Sequence, residues 1–102
     1  MDILLGTIDW DGELVEVRAR EHGYGVNGRS AMIAFDMEGQ EYGRISVNVP
    51  DLPLGPGEFI VDNGVGAGAV AQLVSLPRLR DTGQRVDYGH VRRRPVLVLL
   101  AR

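Results

Sequence analysis

The stretch "PDLPLGPG", residues 50–57, holds three prolines and two glycines in eight positions. It lies between "RISVNV" and "EFIV", both rich in β-branched and aromatic residues. Proline fixes φ and removes a ladder amide, so no strand or helix runs through these residues. The chain must therefore build short elements on either side of a stiff connector.

Residues 3–8 and 13–20 read as strands. Val15, Val17 and Ala19 share one face of the second, and "DWDG", residues 9–12, reads as the turn. Residues 21–30 are glycine-rich and aperiodic, hence loop. "AMIAF", residues 31–35, is a short continuous apolar run, suited to a strand buried on both faces or packed under a helix. "DMEGQE" turns the chain. Residues 42–49 then alternate, with Ile45, Val47 and Val49 facing one way and Arg44, Ser46 and Asn48 the other. Residues 58–61 add a strand, Asn63 is a candidate helix cap, and Val70, Leu73 and Val74 form the stripe of a short helix between residues 67 and 76, ended by Pro77. A polar turn at residues 81–84, a weakly alternating strand at 85–91 and a strongly β-prone run at 95–101 complete the pattern. These elements predict an α+β fold in one domain over residues 1–102: a mainly antiparallel sheet of about six strands with one short helix packed on it.

Strand, "NGVGAGA", helix is the order a dinucleotide-binding turn uses, with Gly64, Gly66 and Ala69 in its key positions. That fold also needs further parallel strands and an acid about 20 residues on. Only Asp87 stands there, within a segment that reads as hairpin, so the glycines predict a flexible connection and no cofactor. The chain has no cysteine, and all eleven of its basic residues are arginine. Thiolate chemistry, Schiff bases and a phosphate-loop lysine are thereby excluded. Asp9, Asp11 and Glu13, or Asp36, Glu38 and Glu41, depart from the calcium-loop pattern because Arg20 and Val47 stand where its bidentate Glu at position 12 belongs, so no metal is expected. His22 and His90 lack a third ligand or a paired nucleophile. Ser30 lacks the closing glycine of a nucleophile elbow. No apolar run approaches the roughly 20 residues of a membrane-spanning helix, and no targeting segment is visible, which makes a cytoplasmic protein the default.

Charge is placed unevenly. Residues 1–63 carry twelve acids against four arginines, a balance of −8, while residues 64–102 carry two acids against seven arginines, a balance of +5. The acids Asp9, Asp11, Glu13, Asp36, Glu38 and Glu41 fall in turns and form one candidate contact surface. Arg85, Arg92, Arg93 and Arg94 form the other. Alternation in a strand allows at most two of the triplet to share a face. Nucleic-acid binding by these arginines is the alternative to protein binding, weighed against a sequence pI near 5.2.

"YGRISVNVPDLPLGPGEFIVDN", residues 42–63, with "DTGQRVDYGHVRRRPVLVLL", residues 81–100, resembles the bacterial family called domain of unknown function 4313, typical of plasmid, phage and other mobile-element genes. The resemblance covers about the C-terminal two-thirds. It departs at "GVGAGA", where relatives carry acidic and polar residues, and in the arginine triplet. It brings no catalytic residues. It implies a non-enzymatic binder of a host or element-encoded protein, of the kind that includes anti-CRISPR inhibitors of host defence complexes. The charge placement makes the acidic turns its expected contact surface, in a monomer or a homodimer. The apolar run 96–100 is the candidate homodimer strand.

Overall fold

The computed structural model describes residues 2–21 and 29–100. Strands β1 (Asp2–Trp10) and β2 (Glu13–Arg20) form an antiparallel hairpin about Asp11 and Gly12. Both turn residues have positive φ, 53° and 90°, as the tightest right-twisting hairpins require. β3 (Ala31–Phe35) and β4 (Glu41–Arg44) complete a first sheet in the order β1-β2-β3-β4. β1 runs through Trp10, past the expected stop, because the indole turns inward and reaches across to β4, where Gly43 leaves room for it.

The run 42–49 is not one strand in one sheet. Ile45 is fully buried at a corner: its N–H donates to Met32 O at 3.0 Å in the first sheet, and its carbonyl accepts from Asp62 N–H at 2.7 Å beside the second. β5 (Ser46–Val47) therefore belongs to a second sheet, in the order β5-β6-β8-β7, with β6 (Glu58–Val61), β7 (Leu79–Tyr88) and β8 (Val91–Leu99). Strands that pass from one sheet to the other are how packed sheets turn corners. Past the corner the alternation fails: Ser46 is buried, its Oγ accepting Met32 N–H at 2.9 Å, and Val47 and Val49 are only half-buried.

The single six-strand sheet is thus corrected to two four-stranded antiparallel sheets and one helix, and the α+β class stands. The polar turn at residues 81–84 is also corrected: β7 continues through it, and three residues, 82–84, oppose one on β8 as a bulge, with Gly83 at φ 83°.

Helix α1 (Ala67–Val74) packs on the two edge strands β1 and β7. Its inward residues are Ala69 and Leu73, followed by Leu76; Val74 lies on the outside, contrary to the expected stripe. The N-cap is Gly66, not Asn63, and no side chain caps the helix. β1 accommodates Leu76 through a bulge at Gly6, whose φ is 147°; a Cβ there would stand 2.6 Å from Leu76 Cδ2. One apolar cluster joins both sheets and the helix, including Ile8, Val15, Val17, Ile45, Val61, Leu73 and Leu97. Each such side chain contributes about 1.5–3 kcal/mol by leaving water. β3 is buried on both faces: Met32 and Ala34 join this cluster, while Ala31, Ile33 and Phe35 form a second one, with the Arg18 guanidinium 4.2 Å above the Phe35 ring.

Candidate interaction surfaces

The register places the β1–β2 turn and the β3–β4 turn at the same end of the first sheet, since Phe35 pairs with Glu16 and Trp10 with Glu13. Asp9, Asp11, Glu13, Asp36, Glu38 and Glu41 are consequently brought together at that end. Two of the six hold the turns. Asp9 Oδ1 accepts Gly12 N–H at 2.7 Å, and Asp36 Oδ1 accepts Glu38 N–H and Gln40 N–H at 2.9 and 3.0 Å. Glu41 faces Arg44 at 3.9 Å. Asp11, Glu13 and Glu38 have no cationic partner among the described residues and present their charge to solvent.

Sequence reasoning missed the apolar component of this end. Leu14, Met37 and Tyr42 are 52%, 57% and 43% exposed, and Tyr42 meets Trp10 edge to face with ring centroids 5.4 Å apart. Leu14 falls on the outward period of β2, and "DMEG" puts an unbranched apolar side chain in a turn, so both signals lie in the sequence. Exposed apolar residues at a charged end are typical of contact surfaces.

The four arginines do not act as a set. Arg85 is engaged with Asp81 through two hydrogen bonds of 3.0 and 2.9 Å, an ion pair that holds the Asp81 carboxyl below its ordinary value. Arg94 turns back on its own chain: its guanidinium donates to Val61 O at 3.2 Å, Asp62 O at 2.8 Å and Val65 O at 2.7 Å, gripping the loop that leads into α1. Arg92 leans on the Gly89 and Val91 carbonyls at 2.8 and 3.1 Å and remains exposed. Arg93 is exposed with φ 55°, an αL conformation uncommon outside glycine, and its N–H donates to Asp87 Oδ1 at 2.8 Å. Opposite Asp87, β8 has two residues, Arg92 and Arg93, so a second bulge re-aims the triplet. Beside it Tyr88 is half-buried; burial first, and the Asp62 carboxylate second, raise its hydroxyl above the ordinary value of 10.0.

The two surfaces border the same feature. Asp9 and Asp11 line a cleft of about 300 Å³ with Gly68, Ala69 and Gln72 on the first turns of α1, and Asp9 N–H donates to Gln72 Oε1 at 3.3 Å. Arg94 holds residues 61–65 on the approach to the same helix start. Asp9 and Asp11 on one hairpin and Arg94 at the base of another therefore both border one loop-to-helix junction.

The glycine cluster does not build the dinucleotide unit: β6 is flanked by β5 and β8, both antiparallel to it. A larger cleft of about 360 Å³ lies beside the proline connector, lined by Arg29, Ser30, Met32, Glu58, Phe59 and Leu99 among others. Its polar groups serve the fold. Arg29 donates to the Val49 and Leu52 carbonyls, and Glu58 Oε1 accepts Gly55 N–H at 2.8 Å. His90 is exposed in the β7–β8 turn; His22 lies outside the described residues. Among the described residues no group of three metal-ligating side chains occurs, and no helix is long and apolar enough to cross a membrane. In the run 96–100, the candidate homodimer strand, Val96 and Leu97 are fully buried on β8, an inner strand of the second sheet, and Val98, Leu99 and Leu100 are half-buried.

No family model, curated protein or solved structure matches this chain in comparisons with each.

Proposed function

We propose that the chain is a non-enzymatic protein-binding module whose contact surface is the acidic end of the first sheet. The supporting observation is the meeting of two acidic turns at one end together with exposed Leu14, Met37 and Tyr42. Exposed apolar side chains at the same end as unpaired carboxylates suit a partner that presents arginine or lysine beside apolar or aromatic groups. The family resemblance adds the context of a mobile element, in which such a module acts as an inhibitor by occupying the basic groove of a host defence complex.

Nucleic-acid binding through Arg85, Arg92, Arg93 and Arg94 is less well supported. Two of the four are engaged within the chain, and Asp9 and Asp11 lie across the helix junction, where they repel a polyanion.

The test is affinity capture from a bacterial lysate at low salt with the wild-type chain and with Glu13→Arg/Glu38→Arg. A specific partner captured by the wild type, released by raised salt and lost with the double variant is the expected result. Capture undiminished by the two reversals would sink the reading. Mobility shifts with DNA and RNA, compared with Arg92→Ser/Arg93→Ser, test the second reading in parallel.

A further inference from the structure

We infer that the basic surface received by the acidic end is the β7–β8 hairpin of a second copy of this chain, in a two-fold arrangement in which each hairpin meets the other copy's acidic end. The inference rests on the reading of that end as a contact surface; the second copy covers the end until the proposed partner displaces it.

Its first ground is that the charge is left uncompensated within one copy. The four ion pairs among the described residues are Arg18–Glu16, Arg20–Asp2, Arg44–Glu41 and Arg85–Asp81, and none joins the acidic first part of the chain to the arginine-rich last part. Among the described residues Arg92 and Arg93 face no carboxylate within ion-pairing distance, and neither Asp11, Glu13 nor Glu38 faces a cation.

The second ground is shape. β6 pairs with β8 only at Val96, Leu97 and Val98, so the hairpin beyond them is a two-stranded arm. Its edges are poor templates for strand addition, because Pro95 lacks an amide proton and two bulges interrupt the ladder. What the arm offers is its side chains, and the αL turn at Arg93 puts two adjacent guanidinium groups in solvent. An exposed aromatic ring such as Tyr42 is a favourable seat for a guanidinium, as Arg18 over Phe35 shows within this chain.

The third ground is placement. A two-fold contact buries the same patch on both copies, so it needs complementary features side by side on one copy. The acidic turn and the base of the arm meet this condition, since Asp9 and Asp11 line the cleft at α1 and Arg94 holds the loop that enters it. A single-signed partner such as a nucleic acid gains from one side of this junction and is repelled by the other.

Sedimentation equilibrium, as a function of concentration at low and high salt, reads the self-association directly. The expected mass at low salt is twice the 11.1 kDa of the chain, falling as salt is raised. Arg92→Glu/Arg93→Asp and Glu13→Arg/Glu38→Arg are each expected to raise the dimer dissociation constant by about tenfold or more, since like charges then face each other. Mixing the two variants restores both contacts in a heterodimer. This recovery also shows that both variants are folded. A single-chain mass at every concentration, or a dimer indifferent to both variants and to their mixing, overturns the inference. The functional reading fails separately, through partner capture that survives Glu13→Arg/Glu38→Arg.

Discussion

At the scale of single residues, two positions are set by close approach and not by local propensity. Gly6 occupies φ 147° with Leu76 Cδ2 2.6 Å from where a Cβ would lie. Gly6→Ala is expected to cost about 1–3 kcal/mol through backbone strain and displacement of Leu76, read as a lowered denaturant midpoint. An unchanged midpoint would show that β1 tolerates a side chain at the bulge. Arg94 holds three backbone carbonyls at 2.7–3.2 Å. Arg94→Met removes these charge-assisted bonds and is expected to cost about 1.5–3 kcal/mol, with faster amide exchange at residues 62–66. Lysine does not restore it, because one ammonium cannot reproduce the planar fork. Nothing in "VRRRPV" distinguishes Arg94 from its neighbours; the distinction arises because the bulge at Arg93 turns the next side chain toward the loop.

At the scale of elements, the limits of β2, β3 and β6 were legible because hydrophobic period and turn residues agree there. The helix was legible in place but not in facing. Val70, Leu73 and Val74 satisfy helical spacing, yet small Ala69 is buried and Val74 is not, since α1 must fit close to two strand edges at once. Its start is made of glycines that serve no close contact: a Cβ at Gly68 would meet nothing within 4 Å. Gly68→Ala is therefore expected to stabilise the protein by about 0.5–1 kcal/mol, by limiting the unfolded chain and favouring the helix. A lower melting temperature in calorimetry would contradict this and give the glycine a role that the structure does not contain.

At the scale of the whole molecule, charge governs the response to pH. Arg20 and Arg85 hold the Asp2 and Asp81 carboxyls below their ordinary value of 3.8. Folding therefore gains from these pairs above that pH and loses the gain as acid protonates the folded carboxyls. Both pairs are largely exposed, so the effect is small and screened by salt. Tyr88 acts at the other end of the scale. Its hydroxyl is raised above 10.0, so its contribution is present below that pH and lost as pH rises through the folded value. Spectrophotometric titration of Tyr88→Phe against the wild type is expected to show the loss of a phenol that ionises above 10.0; loss of one that ionises at its ordinary value would refute the burial.

By itself the sequence determined the class of fold, the proline-imposed break, most strand positions and the separation of charge along the chain, because each follows from interactions within about ten residues. Tertiary structure alone decided that the strand through residues 42–49 would divide at Ile45 between two sheets, that Ser46 would be buried, and that Arg94 would grip its own chain. It also decided that six acids from two turns would share one end with Leu14, Met37 and Tyr42. The physical reason is common to all of them. A corner, a bulge or a shared end exists only once distant strands have taken their register, and no local period encodes which backbone groups will then lie within reach.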